Sequence, residues 1–252
     1  MSTTSLEGRT ALVTGGNRGL GRAMALALAE AGANVAIAAR DQSSLDAVAE
    51  EIRGLGRRAV GVSTDVTSSA AVDALVTQVV AELGGLDVLV NNSGVLHPAP
   101  LLETSDEDWD RVIATNLTGA FLCSRAAGRH FAENGGGKVI NIASNFAYLG
   151  VANFVSYCSS KAAIVAFTRA LAVEWAPKNI QVNAIAPGYF ETDMNVDLRA
   201  DDDLLTRTLR QIPQRRMGKP EELGPLVTYL ASSASDFMTG ETLLLDGGQA
   251  AR

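Results

Sequence analysis

Directly after the apolar run TALVT comes TGGNRGLG (residues 14–21), and after that the alanine-rich stretch RAMALALAEAG. A strand-like run, a cluster of glycines and a helical run in that order leave few folds open. Gly15 permits a turn conformation costly for residues with a side chain, Gly19 lets the backbone approach a ligand, and Gly21 allows close helix packing. The amides at the start of that helix would face a phosphate. Alone, a glycine cluster is only a turn; between a strand and a helix it reads as a nucleotide-binding site.

The rest of the chain repeats the same rhythm. Short runs rich in Val, Ile and Ala recur at 10–14, 34–39, 59–63, 86–91, 138–143, 181–186 and 242–246, and helical spacing fills 19–31, 43–55, 68–83, 106–133, 155–175 and 220–231. The strands mostly lack polar alternation, as strands buried on both faces do. The expectation is an α/β protein: a single-domain doubly wound Rossmann fold over residues 1–252, with a seven-stranded parallel sheet and helices on both faces. Gly32, Gly54, Gly56 and Gly84 stand where helix C-terminal caps belong, and Thr104 or Ser105 caps the helix that opens DEDWDRV. One long irregular stretch, about 189–219, has the length of a substrate-binding loop, with the acidic run 201–203 as solvated surface.

Bulk properties exclude several roles. The net charge of −7 disfavours nucleic acid and anionic membranes, which are bound through clustered Lys and Arg. No stretch reaches the ~20 unbroken apolar residues of a membrane span, and MSTTSLEGRT lacks the pattern of a signal peptide, so the expected compartment is the cytoplasm. Cys123 and Cys158 show no metal-ligand spacing, and neither a disulfide nor a metal site is expected. His97 lies near the expected mouth of the site; His130 reads as structural.

Glycines at 15, 19 and 21 resemble the turn T-G-x-x-x-G-x-G of the short-chain dehydrogenases/reductases. The resemblance continues in order through DV (65–66), NNSG (91–94), ATNLTG (114–119), Ser144, YCSSK (157–161), APG (186–188) and LLLDGG (243–248). Ser93 departs from the family's N-N-A-G and adds a hydroxyl. The family implies a nicotinamide cofactor held by Gly15, Asn17, Arg18, Gly19, Leu20 and Gly21. Asp65 and Val66 would flank the adenine, Asn91 would lie along the adenosine, and Pro187, Gly188, Phe190 and Thr192 would hold the nicotinamide end. Relatives that use NAD carry an acid at the end of the second strand, where this chain has Ala39 followed by Arg40. Arg18 and Arg40 would converge on a 2′-phosphate, despite Asp41 beside them, so NADP(H) is the expected cofactor and NAD(H) the second candidate.

Tyr157 and Lys161, four residues apart on a helix, advance about 6 Å and share a face. By the resemblance, Tyr157 is the general acid/base, Lys161 lowers its pKa and orients ribose hydroxyls, Ser144 polarises the substrate oxygen, and Asn116 positions a water in a proton relay. Bringing a tyrosine from ~10 to ~7 needs about 4 kcal/mol, and an ammonium ~6 Å away supplies about 3 kcal/mol at an effective dielectric near 20. Tyr157 and Lys161 would also touch the cofactor. Ser144, Asn145, Phe146, Tyr157 and Tyr189, with His97 and Phe154 near by, would face the substrate, a carbonyl or secondary alcohol.

NIQVNAIAPGYFETDM resembles the sugar-acid branch of the family, such as gluconate 5-dehydrogenases and 2-deoxygluconate 3-dehydrogenases. The alternative is a 3-oxoacyl-(acyl-carrier-protein) reductase, for which Arg207, Arg210, Arg215 and Arg216 would supply a docking patch. A non-catalytic NADP(H) sensor is the rival from another class; an intact proton donor speaks against it. The family also implies a homotetramer formed through helices 106–133 and 155–175, with Ala126, Ala127, Ala162 and Ala163 permitting close approach.

Overall fold

In the computed structural model, residues 4–251 are described. Among them, seven strands form one parallel sheet in the order β3-β2-β1-β4-β5-β6-β7: β1 (Thr10–Thr14), β2 (Asn34–Ala39), β3 (Ala59–Ser63), β4 (Val88–Asn91), β5 (Gly137–Ile142), β6 (Ile180–Pro187) and β7 (Thr242–Leu245). The helices are α1 (Gly19–Glu30), α2 (Gln42–Gly54), α3 (Ser69–Leu83), α4 (Asp106–Ile113), α5 (Gly119–Glu133), α6 (Val155–Trp175), α7 (Val196–Ala200), α8 (Asp202–Gln211) and α9 (Gly224–Ala231). The strand order reverses between β1 and β4, and a crevice at such a switch point is where open parallel sheets bind ligands.

Successive strand residues point to opposite faces, and both faces are covered. Ala11 and Val13 join a core with Met24 and Leu28 of α1, Leu45 and Ile52 of α2 and Val227 of α9, whereas Leu12 joins one with Leu75 and Val79 of α3 and Phe131 of α5. Polar alternation is absent from the inner strands because neither face meets water. The edge strand β7 differs: none of its residues is fully buried, and Leu244 is exposed.

Two further differences from the sequence expectation, and one choice between alternatives, have local causes. The helix expected over 106–133 contains a π-helical turn at Ala114–Thr118 between α4 and α5, a feature common at functional sites. Of the two expected caps of α4, Ser105 is the one used: it accepts a hydrogen bond from the Asp108 amide. The stretch 189–219 is not irregular. It holds α7 and α8, and the acidic run starts α8, with the Asp201 carboxylate accepting from the Leu204 amide at 2.9 Å and Asp202 and Asp203 in the first turn, where the helix dipole favours them.

Candidate active site

The glycine turn is shaped by contacts that exclude side chains. A Cβ on Gly21 would stand 2.0 Å from the Gly15 carbonyl, and one on Gly15 would stand 2.9 Å from the Asn92 amide nitrogen. Gly16 is equally constrained, since its Cβ would meet Ile37 at 2.7 Å; the second glycine of TGG was its only sequence sign. Thr14 and Asn92 lock the turn onto β4. Thr14 Oγ1 accepts hydrogen bonds from the Asn92 and Ser93 amides at 3.0 and 3.1 Å, and Asn92 Nδ2 donates to the Thr14 and Gly15 carbonyls. The sequence reading missed both residues; the signal was their place beside the TG and NNSG motifs.

The turn fits a phosphate. Arg18 precedes α1 without a side-chain cap, and the first turn of α1 holds no acid, so the amides there stay available for an anion. Asn17 donates to Ser44 Oγ, which ties the turn to the start of α2. Leu20 packs against the core. Thr192 faces the turn from across the crevice, its methyl group 3.6 Å from where a Gly19 Cβ would stand. The guanidinium groups of Arg18 and Arg40 are exposed and form no hydrogen bond or ion pair among the described residues. Asp41 does not pair with them, because its carboxylate caps α2 and is held below the usual range by Ser44 and Ser43; the Arg40 charge also helps to lower the Asp65 carboxyl.

Several residues assigned to the nucleotide use their side chains elsewhere. Asn91 is buried and donates to Asn141 at 2.8 Å and Ser124 at 2.9 Å, and the Val66 and Phe190 side chains lie in the two large cores. These three side chains are nearly buried, at 5%, 6% and 5% exposure for Asn91, Val66 and Phe190. Asp65 accepts from the Thr67 amide and hydroxyl through Oδ1, which lowers its pKa and leaves Oδ2 open. Gly188, next to Pro187 at the end of β6, has no room for a Cβ, with Asp246 at 2.7 Å.

Three side chains meet at the carboxyl edge of the sheet. Ser144, just past β5, accepts from the Phe146 amide at 3.2 Å and stands beside Tyr157. Lys161, buried one turn further along α6, donates to the Ile142 carbonyl at 2.7 Å and lies 5.7 Å from the centre of the Tyr157 ring. The expected lowering of Tyr157 does not occur in the protein alone. Burial pushes its hydroxyl up to about 12 against the opposing influence of Ser144, and burial draws Lys161 down to about 8. Desolvation disfavours the charged form of both groups.

Asn116 lies in the π turn and is buried. Its Oδ1 accepts from the Val95 amide at 2.8 Å, while Nδ2 donates to the Val95 carbonyl at 2.9 Å and to Ser160 Oγ at 3.0 Å. Its side chain therefore holds the 94–95 loop against α6.

Two residues expected to face substrate are buried instead. Asn145 donates to Gln249 Oε1 at 2.8 Å, and Phe146 stacks edge-on with Phe154, Tyr157 and Tyr189 at centroid distances of 5.4, 6.0 and 5.9 Å. Phe146 is thus the packing centre that fixes the angle of the Tyr157 ring. Tyr189 lines a cavity of about 130 Å³ with Gln214, Arg216, Asp246 and Gly247. His97 is drawn to Asp108 at 3.5 Å and Arg111 at 3.4 Å. No cluster of potential metal ligands occurs among the described residues.

A phosphate-binding turn at the switch point of a parallel sheet, with a tyrosine, lysine and serine gathered at the same edge, defines a nicotinamide-dependent oxidoreductase of the Rossmann class. The profile of a family described as enoyl-(acyl carrier protein) reductase matches residues 15–250. The chain is 43% identical over 254 residues to a 2-dehydro-3-deoxy-D-gluconate 5-dehydrogenase of Escherichia coli (strain K12), covering 100% of this chain and 99% of that one. It is 38% identical over 244 residues to a 3-oxoacyl-(acyl-carrier-protein) reductase of Vibrio cholerae, covering 97% and 98%. Its fold superposes with a TM-score of 0.93 on a crystal structure described as a putative 2-deoxy-D-gluconate 3-dehydrogenase from Agrobacterium tumefaciens with bound NADP, at 40% identity and 100% coverage of both chains. The chain belongs to the short-chain dehydrogenase/reductase family.

Proposed function

We propose that the chain is an NADP(H)-dependent oxidoreductase that moves a hydride between the nicotinamide and the carbonyl or alcohol carbon of a sugar acid. The observation that carries this reading is the convergence of Ser144, Tyr157 and Lys161 beside an uncapped, acid-free helix start. The cofactor, when bound, supplies or accepts the hydride. Tyr157 gives its proton to the substrate oxygen in reduction and takes it in oxidation, and Ser144 donates a hydrogen bond to the same oxygen as charge develops there. Lys161, fixed by the Ile142 carbonyl, holds its ammonium near the phenol, and Asn116 would position a water in the proton relay. Arg18 and Arg40 support a preference for the 2′-phosphate, as does the NADP in the Agrobacterium structure. The activity named for the Escherichia coli relative supports the substrate class.

The test is a steady-state assay in both directions with both cofactors, on 2-dehydro-3-deoxy-D-gluconate, gluconate and simple carbonyl compounds. Turnover of a sugar acid with NADPH or NADP, lost in Tyr157→Phe, is the expected result; near-normal turnover in Tyr157→Phe sinks the mechanism, and activity confined to non-acidic substrates sinks the substrate class.

The second reading, reduction of a 3-oxoacyl group on a carrier protein, is favoured by the Vibrio cholerae relative. The docking patch it requires is partly closed, because Arg216 forms a paired bond with Glu222 at 2.7 Å. A 3-oxoacyl thioester in the same assay separates the two.

We also assign one catalytic domain to residues 1–252, with 189–219 over the substrate, in a cytoplasmic homotetramer. No helix among the described residues is long and apolar enough to cross a membrane. Of the small residues expected at the contact, Ala162 is exposed and Ala163 partly so, whereas Ala126 and Ala127 are buried in the chain's own core. Exposed Phe121 and Val155 on the same two helices are the better contact residues. Sedimentation as a monomer contradicts this assembly.

A further inference from the structure

We propose that Gln249, in the C-terminal turn, is a positioning residue for Ser144: it fixes the direction of the Asn145 amide, which in turn accepts the Ser144 hydrogen bond. The inference rests on the reading of Ser144 as the residue that meets the substrate oxygen.

Gln249 and Asn145 are separated by 104 residues in sequence, and both are buried. Asn145 Nδ2 donates to Gln249 Oε1 at 2.8 Å, so Asn145 Oδ1 is turned towards Ser144 Oγ, 3.5 Å away. An asparagine amide presents a donor on one side and an acceptor on the other, and nothing but its partners decides which faces the serine. Ser144 Oγ already accepts from the Phe146 amide at 3.2 Å. Its hydroxyl donates to Asn145 Oδ1 at 3.5 Å, a long, weak bond that a substrate oxygen displaces at little cost. A reversed amide would set Nδ2 against Ser144, compete with Phe146 for the serine lone pairs and turn the hydroxyl away.

The segment that carries Gln249 is built to be stiff. Asp246 accepts from the Gly248 amide at 2.9 Å and the Ala250 amide at 2.7 Å, and Gly247 and Gly248 adopt φ of 63° and 87°, which glycine tolerates and other residues rarely do. The Gln214 amide donates to the Gly247 carbonyl, and Gly188 packs against both Asp246 and Asn145. The turn thus joins the ends of β6 and β7, the segment after α8 and the serine loop, and Gln249 is its one side-chain bond to that loop among the hydrogen bonds described.

The experiment compares the full-length native protein with Gln249→Met, which keeps the length but removes the acceptor, and Gln249→Glu, which can only accept. Gln249→Met is expected to lower kcat about tenfold with the KM for NADPH unchanged, since small misplacements of a catalytic group cost one to two powers of ten. Gln249→Glu is expected to stay within about threefold, because a carboxylate keeps Asn145 Nδ2 facing away from Ser144. Spectra of protein labelled with 15N-asparagine give a readout independent of turnover: the slowly exchanging Asn145 side-chain amide persists in Gln249→Glu and is lost in Gln249→Met. Native-like kcat in Gln249→Met, or equal losses in both variants at unchanged melting temperature, overturns the proposal. If the native enzyme turns over nothing while the amide signals behave as stated, the reading of Ser144 fails and the Gln249–Asn145 link stands.

Discussion

The Lys161 ammonium lies 5.7 Å from the centre of the Tyr157 ring yet donates its hydrogen bond to the Ile142 carbonyl, at 2.7 Å. The cation is thus anchored to the sheet, and its field on the phenol does not depend on contact with it. Burial brings the lysine down to about 8 from 10.5. The unfolded chain therefore binds more protons between those values, stability rises with pH across that window, and the penalty for the buried charge is complete below pH 8. At ~1.4 kcal/mol per unit the penalty is about 3 kcal/mol, against about 1 kcal/mol for the lost hydrogen bond. Lys161→Met is expected to abolish turnover and yet raise the melting temperature at pH 7, with the advantage shrinking towards pH 10.5. Tyr157, raised to about 12, contributes the opposite slope above pH 10 in both proteins and cancels from the comparison. A Lys161→Met protein that melts lower than native at pH 7 contradicts the argument.

Thr14 holds the glycine turn to β4 with one oxygen, accepting two amides at 3.0 and 3.1 Å. Thr14→Val keeps the shape and leaves both donors unsatisfied, at a cost of about 1–3 kcal/mol each. Chemical denaturation should show a loss of about 2–6 kcal/mol, largely restored in Thr14→Ser, which keeps the oxygen.

Gly21 has no space for a methyl group, since the Gly15 carbonyl would stand 2.0 Å from it. In Gly21→Ala the turn must open. Cofactor binding, followed by quenching of intrinsic fluorescence or by calorimetry, should weaken at least about tenfold, the equivalent of ~1.4 kcal/mol. Unchanged affinity would show that the turn does not hold the phosphates.

Arg18 and Arg40 are the cationic side chains without a hydrogen-bonding partner beside the turn. Charge-assisted hydrogen bonds contribute about 1.5–3 kcal/mol each, so removing either should lower kcat/KM for NADPH roughly 10- to 150-fold and leave that for NADH nearly unchanged. A native enzyme that prefers NADH overturns the cofactor assignment.

Much of this arrangement was legible in the sequence. Apolar runs and helix caps located the seven strands to within about two residues, because local periodicity and glycine chemistry are written in neighbouring positions. The order of TGGNRGLG, NNSG, Ser144 and YCSSK gave the reacting residues for the same reason. The helices within 189–219 were hidden because α7 has only five residues and its surroundings are polar.

Side-chain direction was not legible. Asn145 and Phe146 sit beside Ser144 in sequence, but a partner 104 residues away and three aromatic rings turn them inward. Ala126 and Ala127 are small, which admits close packing of any kind; the core they fill is set by α3 and β4. The sequence by itself determined which chemical groups the site holds and the order of the elements that carry them. Only the tertiary structure decided their protonation and their partners, because desolvation and long-range hydrogen bonds depend on what the folded chain brings around each group rather than on what stands next to it.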